Sequence, residues 1–231
     1  MRSSPLAKLR NLVAGFNRWF QSPNDEVQGD ESDDKDSSSL KLIVGLGNPG
    51  SKYADTRHNV GERWVRSLAQ QFAITLRNES RFKGQVGRGK ILDQDIRILV
   101  PTTFMNLSGQ SVGLFVRYFK IPLNRVLVAY DEVAFPAGTC KLKIGGGHNG
   151  HNGVKSLIDA FGGNREFARL RIGVGHPGNP DHMHNYLTGC SMPRTERTQA
   201  ESASEMGDEL LRSVVSGDWQ QAMLLLHSRS E

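Results

Sequence analysis

Four short stretches of this chain pool histidine, aspartate and asparagine side chains without an obvious nucleophile: GNPGSKYADTRHNVG, PTTFMNLSG, YDEVAFPAG and GGGHNGHNG. Their polar content is Asn48, Tyr53, His58, Asn106, Asp131, His148, His151 and Asn152. No cysteine lies among them, and Ser108 reads as a helix cap. A neutral imidazole with a pKa of about 6.5 can take a proton from water, and a buried carboxylate can fix its tautomer and stabilise the imidazolium that forms. Asparagine cannot titrate, but its amide can donate to an oxyanion and its carbonyl can hold a water. The set favours attack of water on an acyl ester over covalent catalysis, and it offers no carboxylate cluster for Mg²⁺. Each residue alone has a structural reading: Asn48 before Pro49 as a turn, Asp131 as a strand end or cap, Asn106 as an Asx turn before Leu107. Their joint occurrence in four loops is what points to a site.

Two other chemistries are weighed on spacing. GLGNPG after an apolar strand matches the G-x-G-x-x-G of dinucleotide-binding proteins, but there a helix opens at the last glycine to meet the pyrophosphate. Here ten mostly polar residues, SKYADTRHNV, intervene before a helical period begins at Gly61. The context for a nucleotide is absent. His148 and His151 are spaced H-x-x-H, and His182 and His184 H-x-H, yet zinc wants three or four ligands in fixed geometry and the first pair sits among glycines. No metal or organic cofactor is expected, and His182 and His184 are read as surface residues of a loop.

The elements that must position these loops alternate. KLIVGL, KILDQDIRILVP, RVLVAYD, CKLKI and ARLRIGVG read as strands, with helices over about 61–72, 108–119 and 152–161 and further helix after Pro193. Lys90 to Leu92 and Ile96 to Leu99, joined by DQD, predict a hairpin and therefore a mixed sheet. The pattern predicts a single three-layer α/β/α domain with a twisted mixed sheet, in which loops at the carboxyl ends of strands converge on a crevice. Asp218 is expected to cap a last helix whose Trp219, Met223, Leu225 and Leu226 pack back on the body.

The chain has 231 residues and a net charge of +5, unevenly spread. Residues 1–20 carry four basic groups and no acid, residues 21–39 carry seven acids against Lys35, and residues 40–231 are left at +7. A basic globular part fits a polyanionic partner such as nucleic acid. With a mean hydropathy of −0.44 and no apolar run near the roughly 18 residues of a membrane span, a soluble chain is expected. Cys140 and Cys190 form neither a disulfide framework nor a C-x-x-C motif, which fits a reducing compartment. Leu6, Leu9, Leu12, Val13, Phe16 and Phe20 at helical spacing among arginines read as an accessory amphipathic helix on an acidic linker, with an organelle transit peptide as the alternative. Residues 1–39 are thus expected to be a flexible or partly helical extension and residues 40–231 the catalytic domain.

In order, GLGNPGSKYADTRHNVG, PTTFMNLSGQSV, YDE, GGGHNGHNGVKSL and FARLRIGVGHPG resemble, nearly letter for letter, the bacterial-type peptidyl-tRNA hydrolases, from about Leu40 to the C-terminus. The resemblance implies hydrolysis of the ester between a peptide and the tRNA 3′-end, without cofactor, by a cytoplasmic monomer with no stable protein partner. Should residues 1–20 be a transit peptide, the place is a mitochondrion or chloroplast. By position, His58 resembles the catalytic base and Asp131 the carboxylate that orients it. Asn48 and Asn106 resemble residues that hold the peptide and 3′-adenosine, with Asn106 also a candidate for the oxyanion. Tyr53 and Met105 resemble cleft-lining positions, and Asn152 beside His151 the residue that positions water and substrate. Lys143 and Arg171, with Lys141 nearby, resemble a clamp on the tRNA 5′-phosphate, although alternation in CKLKI and RLRI would expose them in any case. The chain departs from the family at Asn149, where a glycine is usual, at Ala134, where an acid is common, and in lacking a lysine after His176-Pro177-Gly178, for which His182 or His184 could substitute in part. The alternative is a catalytically silent RNA-binding relative such as an organelle intron-splicing factor, against which the complete set of candidate catalytic residues speaks.

Overall fold

The structure, a computed structural model, describes residues 38–230. The expected N-terminal helix and nearly all of the acidic stretch lie outside the described residues. Ser38 and Ser39, the last of that stretch, are already tied to the body. Ser39 is buried, and its carbonyl and hydroxyl accept from Arg125 Nε and Nη2 at 2.6 and 2.9 Å.

Seven strands form one mixed sheet in the order β2-β3-β4-β1-β5-β7-β6. The chain lays down β1 (Leu42–Gly45), α1 (Val60–Gln71), β2 (Arg77–Glu79), β3 (Gly84–Ile91), β4 (Gln94–Pro101), α2 (Ser108–Tyr118) and β5 (Val126–Glu132). Then follow β6 (Cys140–Ile144), α3 (Asn152–Ala160), β7 (Ala168–Gly173), α4 (Arg194–Ser204), α5 (Asp208–Ser216) and α6 (Trp219–His227). Strands β1, β4, β5 and β7 run parallel, with β4 on one side of β1 and β5 on the other. That reversal of direction about β1 opens a crevice at its carboxyl end.

Alternation along the strands sends side chains to two cores. Ile43, Ile98, Leu127, Ala129 and Leu170 meet Val65 and Leu68 of α1 and Leu211 and Val214 of α5. Leu42, Val44, Leu99 and Val128 are buried on the other face, the side of α2 and α3, where Phe82, Phe115 and Phe119 cluster at centroid distances of 4.7–5.6 Å. Gly61 lets α1 press on β5, since a Cβ there would strike the Ala129 carbonyl. Among the described residues no helix is long and apolar enough to cross a membrane.

The expected helices appear within a residue or so of their ends, and Asp218 caps α6, its carboxylate accepting from Gln221 N at 3.0 Å. Three expectations need correction. The hairpin of β3 and β4 is longer than read and turns on Leu92 and Asp93 rather than on DQD, with Leu92 at φ 52°. Ser108 does not cap α2; buried and already helical, it donates back to the Met105 carbonyl at 2.8 Å. The third concerns β6, which runs antiparallel to β7, so GGGHNGHNG leaves the sheet at the end opposite the other three loops. Ile144 pairs with Ala168, which faces Leu127 near the start of β5. The glycine loop must therefore travel along the sheet to reach the crevice.

Candidate active site

Three of the four loops deliver their polar residues at the carboxyl ends of β1, β4 and β5. His58 lies in a single helical turn, Arg57–Asn59, that opens directly into α1, and Asp131 is the penultimate residue of β5. His58 Nδ1 is 2.8 Å from Asp131 Oδ1, with both residues buried. His58 Nε2 has no partner among the described residues, and His58 lines a cleft of about 450 Å³. Burial opposes protonation of His58, but the charge of Asp131 and its hydrogen bond outweigh it, so the pKa lies above 6.5. Asp131 is held well below the usual carboxylate range, because the two histidines beside it outweigh the opposing effect of burial.

The second histidine is His151. Its Nε2 lies 2.9 Å from the same Asp131 oxygen, and its Nδ1 accepts from Val154 N at 3.2 Å, capping α3. That cap fixes the tautomer: Nδ1 is the acceptor, so Nε2 carries the proton and donates to Asp131. Asp131 Oδ1 thus takes two N–H donors, while Oδ2 is buried without a partner among the described residues. His58, Asp131 and His151 gather donor atoms within 4.8 Å of one another, as a metal site would. The donor set does not suit an ion, since His151 uses both nitrogens and His58 Nδ1 is already spent on Asp131. His148, the other half of H-x-x-H, is exposed and instead accepts from Gly150 N through Nδ1 at 3.1 Å.

Asn48 is locked by a residue that sequence reasoning passed over. Asn59 accepts from Asn48 N at 2.8 Å and donates to its carbonyl at 2.9 Å. Asn48 Oδ1 then accepts from Met105 N at 2.9 Å, which ties the β1 loop to the β4 loop and leaves the Asn48 amide N–H groups unspent. Met105 is buried, its sulfur against Gly153 at the start of α3. Asn106 and Asn152, on either side of that contact, are exposed. Tyr53 is half-buried and meets Phe104 edge-on at 6.5 Å; Phe104, also missed, is 52 % exposed.

The far wall of the cleft is formed by Pro180, Asp181, Met183, His184, Leu187 and Thr188, so His184 faces the site while His182 does not line it. This wall is bolted to the residue before His58. Arg57 is 5 % exposed, stacks on Tyr186 at 3.9 Å and donates to Glu196 Oε2 at 2.8 and 3.1 Å. Its only sequence signal is its place next to His58.

Lys141 and Lys143 on β6 lie across from Arg171 and Arg169 on β7, which puts four cations on one sheet face. Arg171 is paired with Glu132 at 2.8 Å and stacked on Phe135 at 4.5 Å; Lys143 is exposed. Like charges directly across a strand pair are unfavourable. A polyanion would relieve them. Asn149, expected from the resemblance to stand in place of a glycine, adopts φ 47°, the left-handed region that glycine enters at no cost. Ala134 sits beside Glu132, whose Oε1 accepts from Ala134 N at 3.1 Å.

Comparison with known proteins gives a consistent picture. Residues 42–231 match the peptidyl-tRNA hydrolase family. The peptidyl-tRNA hydrolase of Teredinibacter turnerae is 47% identical over 82% of this chain and 97% of its own length. That of Haemophilus influenzae is 51% identical over 68% and 80% of the two chains. The crystal structure of the Acinetobacter baumannii peptidyl-tRNA hydrolase, 42% identical, superposes with a TM-score of 0.77 over 82% of this chain and 95% of that one. With so much of the length matched in sequence and in fold, this chain belongs to the peptidyl-tRNA hydrolase family.

Proposed function

We propose that this chain hydrolyses the ester between the peptide and the tRNA of peptidyl-tRNA, with His58 as the general base. The observation that carries the reading is the His58 Nδ1 contact to Asp131 at 2.8 Å, which leaves Nε2 unprotonated and open to the cleft. A water at Nε2 gives up its proton as its oxygen attacks the ester carbonyl, and Asp131 stabilises the imidazolium. The oxyanion takes hydrogen bonds from amide donors, Asn106 or the free N–H groups of Asn48. As the tetrahedral intermediate collapses, the C–O bond to the ribose breaks and His58 returns its proton to the departing oxygen. Acid and alcohol leave, and the base is regenerated. A positioned base of this kind contributes about 10²–10⁴ in rate.

The remaining candidates take the two arms of the substrate. Tyr53, Met105 and the exposed ring of Phe104 line the side of Asn48 and Asn106, while Asn152 and His151 border the cleft that holds His58. Lys141, Lys143 and Arg171 supply the charge for the acceptor stem and its 5′-phosphate, a sequence-independent grip suited to many tRNAs. Action as a monomer is part of this proposal. Peptidyl-tRNA arises from translation, so the proposed place of action is the cytoplasm. The catalytically silent reading has no support, since the His58–Asp131 pair is intact and the curated relatives are named as hydrolases.

The test is release of N-acetyl-amino acid from N-acetyl-aminoacyl-tRNA by the purified full chain, with and without EDTA, beside His58→Ala. Cleavage that survives EDTA and falls by about 10² or more in the variant supports the reading. Equal rates for the two proteins, or loss of activity with EDTA, overturns it.

A further inference from the structure

The glycine loop starts at the end of the sheet opposite the site. It leaves β6 at Ile144, level with Leu127, and must bring His151 level with Asp131, four residues further along β5 and about 13 Å away. The seven residues Gly145–His151 span at most about 25 Å, so the crossing is made with slack. Little in the loop itself takes that slack up. From Gly147 to Gly150 every residue is exposed, and Gly145, Gly146, Asn149 and Gly150 all have positive φ. Its backbone bonds lie at the ends, Gly145 N to the Phe167 carbonyl at 3.2 Å and His151 N to the His148 carbonyl at 2.8 Å.

Apart from the loop's own His148, whose Nδ1 accepts from Gly150 N, one side chain among the described residues holds the middle of the crossing. Arg169 Nη1 donates to the Gly147 carbonyl at 2.6 Å and Nη2 to the Gly146 carbonyl at 2.7 Å. The guanidinium also lies over the Phe167 ring at 4.5 Å and against the phenol of Tyr130, whose ring packs edge-on to His151 at 4.8 Å. Arg169 is 1 % exposed, and among the described residues no carboxylate pairs with it. A buried cation without a counter-charge is unfavourable for stability. Its planar fork, however, reaches two successive carbonyls at once, which lysine or methionine cannot do.

We infer that Arg169 is a positioning residue for the hydrolysis: it pins the glycine loop across the sheet so that His151 and Asn152 arrive beside Asp131. This rests on the function proposed above and adds to it a residue that touches no substrate. Because Lys143 is its cross-strand neighbour and Arg171 lies two residues on, the pin sits at the border between the phosphate-binding face and the catalytic loop.

The test compares Arg169→Met and Arg169→Lys with wild type for kcat, KM, pH profile, melting temperature and hydrogen exchange of the loop's bonded amides, those of Gly145, Gly150 and His151. A misplacement of about 1 Å in a catalytic group costs about 10² in rate. Arg169→Met is therefore expected to lose between tenfold and a hundredfold in kcat, to keep the acid limb of its pH profile, to melt no lower than wild type and to lose exchange protection in the loop. Arg169→Lys, able to reach one carbonyl, is expected to fall between the two, and it carries the test should the methionine variant fail to fold. Unchanged loop exchange, or a loss confined to KM with a reduced salt dependence, overturns the inference; the latter would make Arg169 a phosphate contact. Should wild type itself fail to hydrolyse, the function reading falls, while the exchange measurement still decides whether Arg169 holds the loop.

Discussion

Replacing Asp131 by Asn separates the two things its carboxylate does for His58. Oδ1 receives N–H donors from His58 at 2.8 Å and His151 at 2.9 Å, and Oδ2 is buried without a partner among the described residues. An asparagine that keeps its carbonyl at the Oδ1 position preserves both bonds, because the flipped rotamer would set its NH₂ against two N–H donors. The orientation of His58 therefore survives and the charge is lost. A carboxylate about 4 Å from the imidazolium charge is worth about 4 kcal/mol at an effective dielectric constant of 20. At 1.36 kcal/mol per decade, kcat should fall by about 10²–10³. The pKa of His58 should fall too, since the charge and the hydrogen bond of Asp131 both raise it against the opposing effect of burial, and the variant leaves burial alone. The assay is single-turnover release from N-acetyl-aminoacyl-tRNA between about pH 5 and about pH 9. An acid limb that moves below 6.5 together with the rate loss is the expected result. A limb that stays in place, or a rate within tenfold of wild type, refutes the reasoning.

Stability and activity should run in opposite directions with pH. The raised pKa of His58 means that its contribution to folding is fully present below about 6.5 and is lost as pH rises through the folded value, while catalysis needs the neutral ring. Melting temperature should thus decline over the window in which kcat climbs, and His58→Ala should flatten that part of the melting curve's pH dependence. Lys143→Ala should weaken tRNA binding and reduce the slope of log affinity against log salt by about 1, with kcat unchanged; an unaltered slope would remove Lys143 from the interface. Arg171→Ala is a poorer probe, since it strands Glu132 in a buried site at a cost of about 3–5 kcal/mol. Gly109→Ala should lower the melting temperature by forcing α2 off α3, because its Cβ would collide with the Ser156 carbonyl, at a cost of about 1–3 kcal/mol. Gly147→Ala, which meets open space, should melt as wild type does.

The alternation of apolar runs with helical periods was enough to read the layers, because burial on both sheet faces writes itself into the strands as in RVLVAYD. The meeting of His58 with Asp131 was legible only in part. Residue types suggest a base and a carboxylate, but their separation of 73 positions is closed by the parallel pairing of β1 and β5, which no local pattern announces. The sequence presents His151 only as a neighbour of Asn152; that it donates to Asp131 and caps α3 depends on the antiparallel run of β6, and strand direction leaves no mark in a five-residue stretch. Asn59, Arg57 and Arg169 escaped for a shared reason. Each holds backbone or a side chain distant in sequence, and a buried polar residue is recognised by its partners, not by its own type. Ser108 misled because serine before a helix most often caps it, whereas here the turn at Met105–Leu107 starts the winding early and turns the hydroxyl back.

Strand β6 closes one margin of the sheet, and a bare margin of this kind offers its backbone to any other chain that can pair with it. Here the Leu142 amide is occupied: it donates to His227 Nε2 at 3.1 Å, at the end of α6. Burial and the nearby Lys141 push the pKa of His227 down, which preserves the lone pair that accepts this bond. Ala222 and Leu226 of the same helix are buried with Cys140 and Leu142 in one apolar cluster. The last helix is in this sense a sheath over a cut edge. Shortening the chain before Trp219 leaves every residue assigned to hydrolysis in place, yet it uncovers a strand able to recruit its counterpart from a second copy. The defect of such a truncation is aggregation during expression, with chemistry intact in whatever fraction stays dispersed.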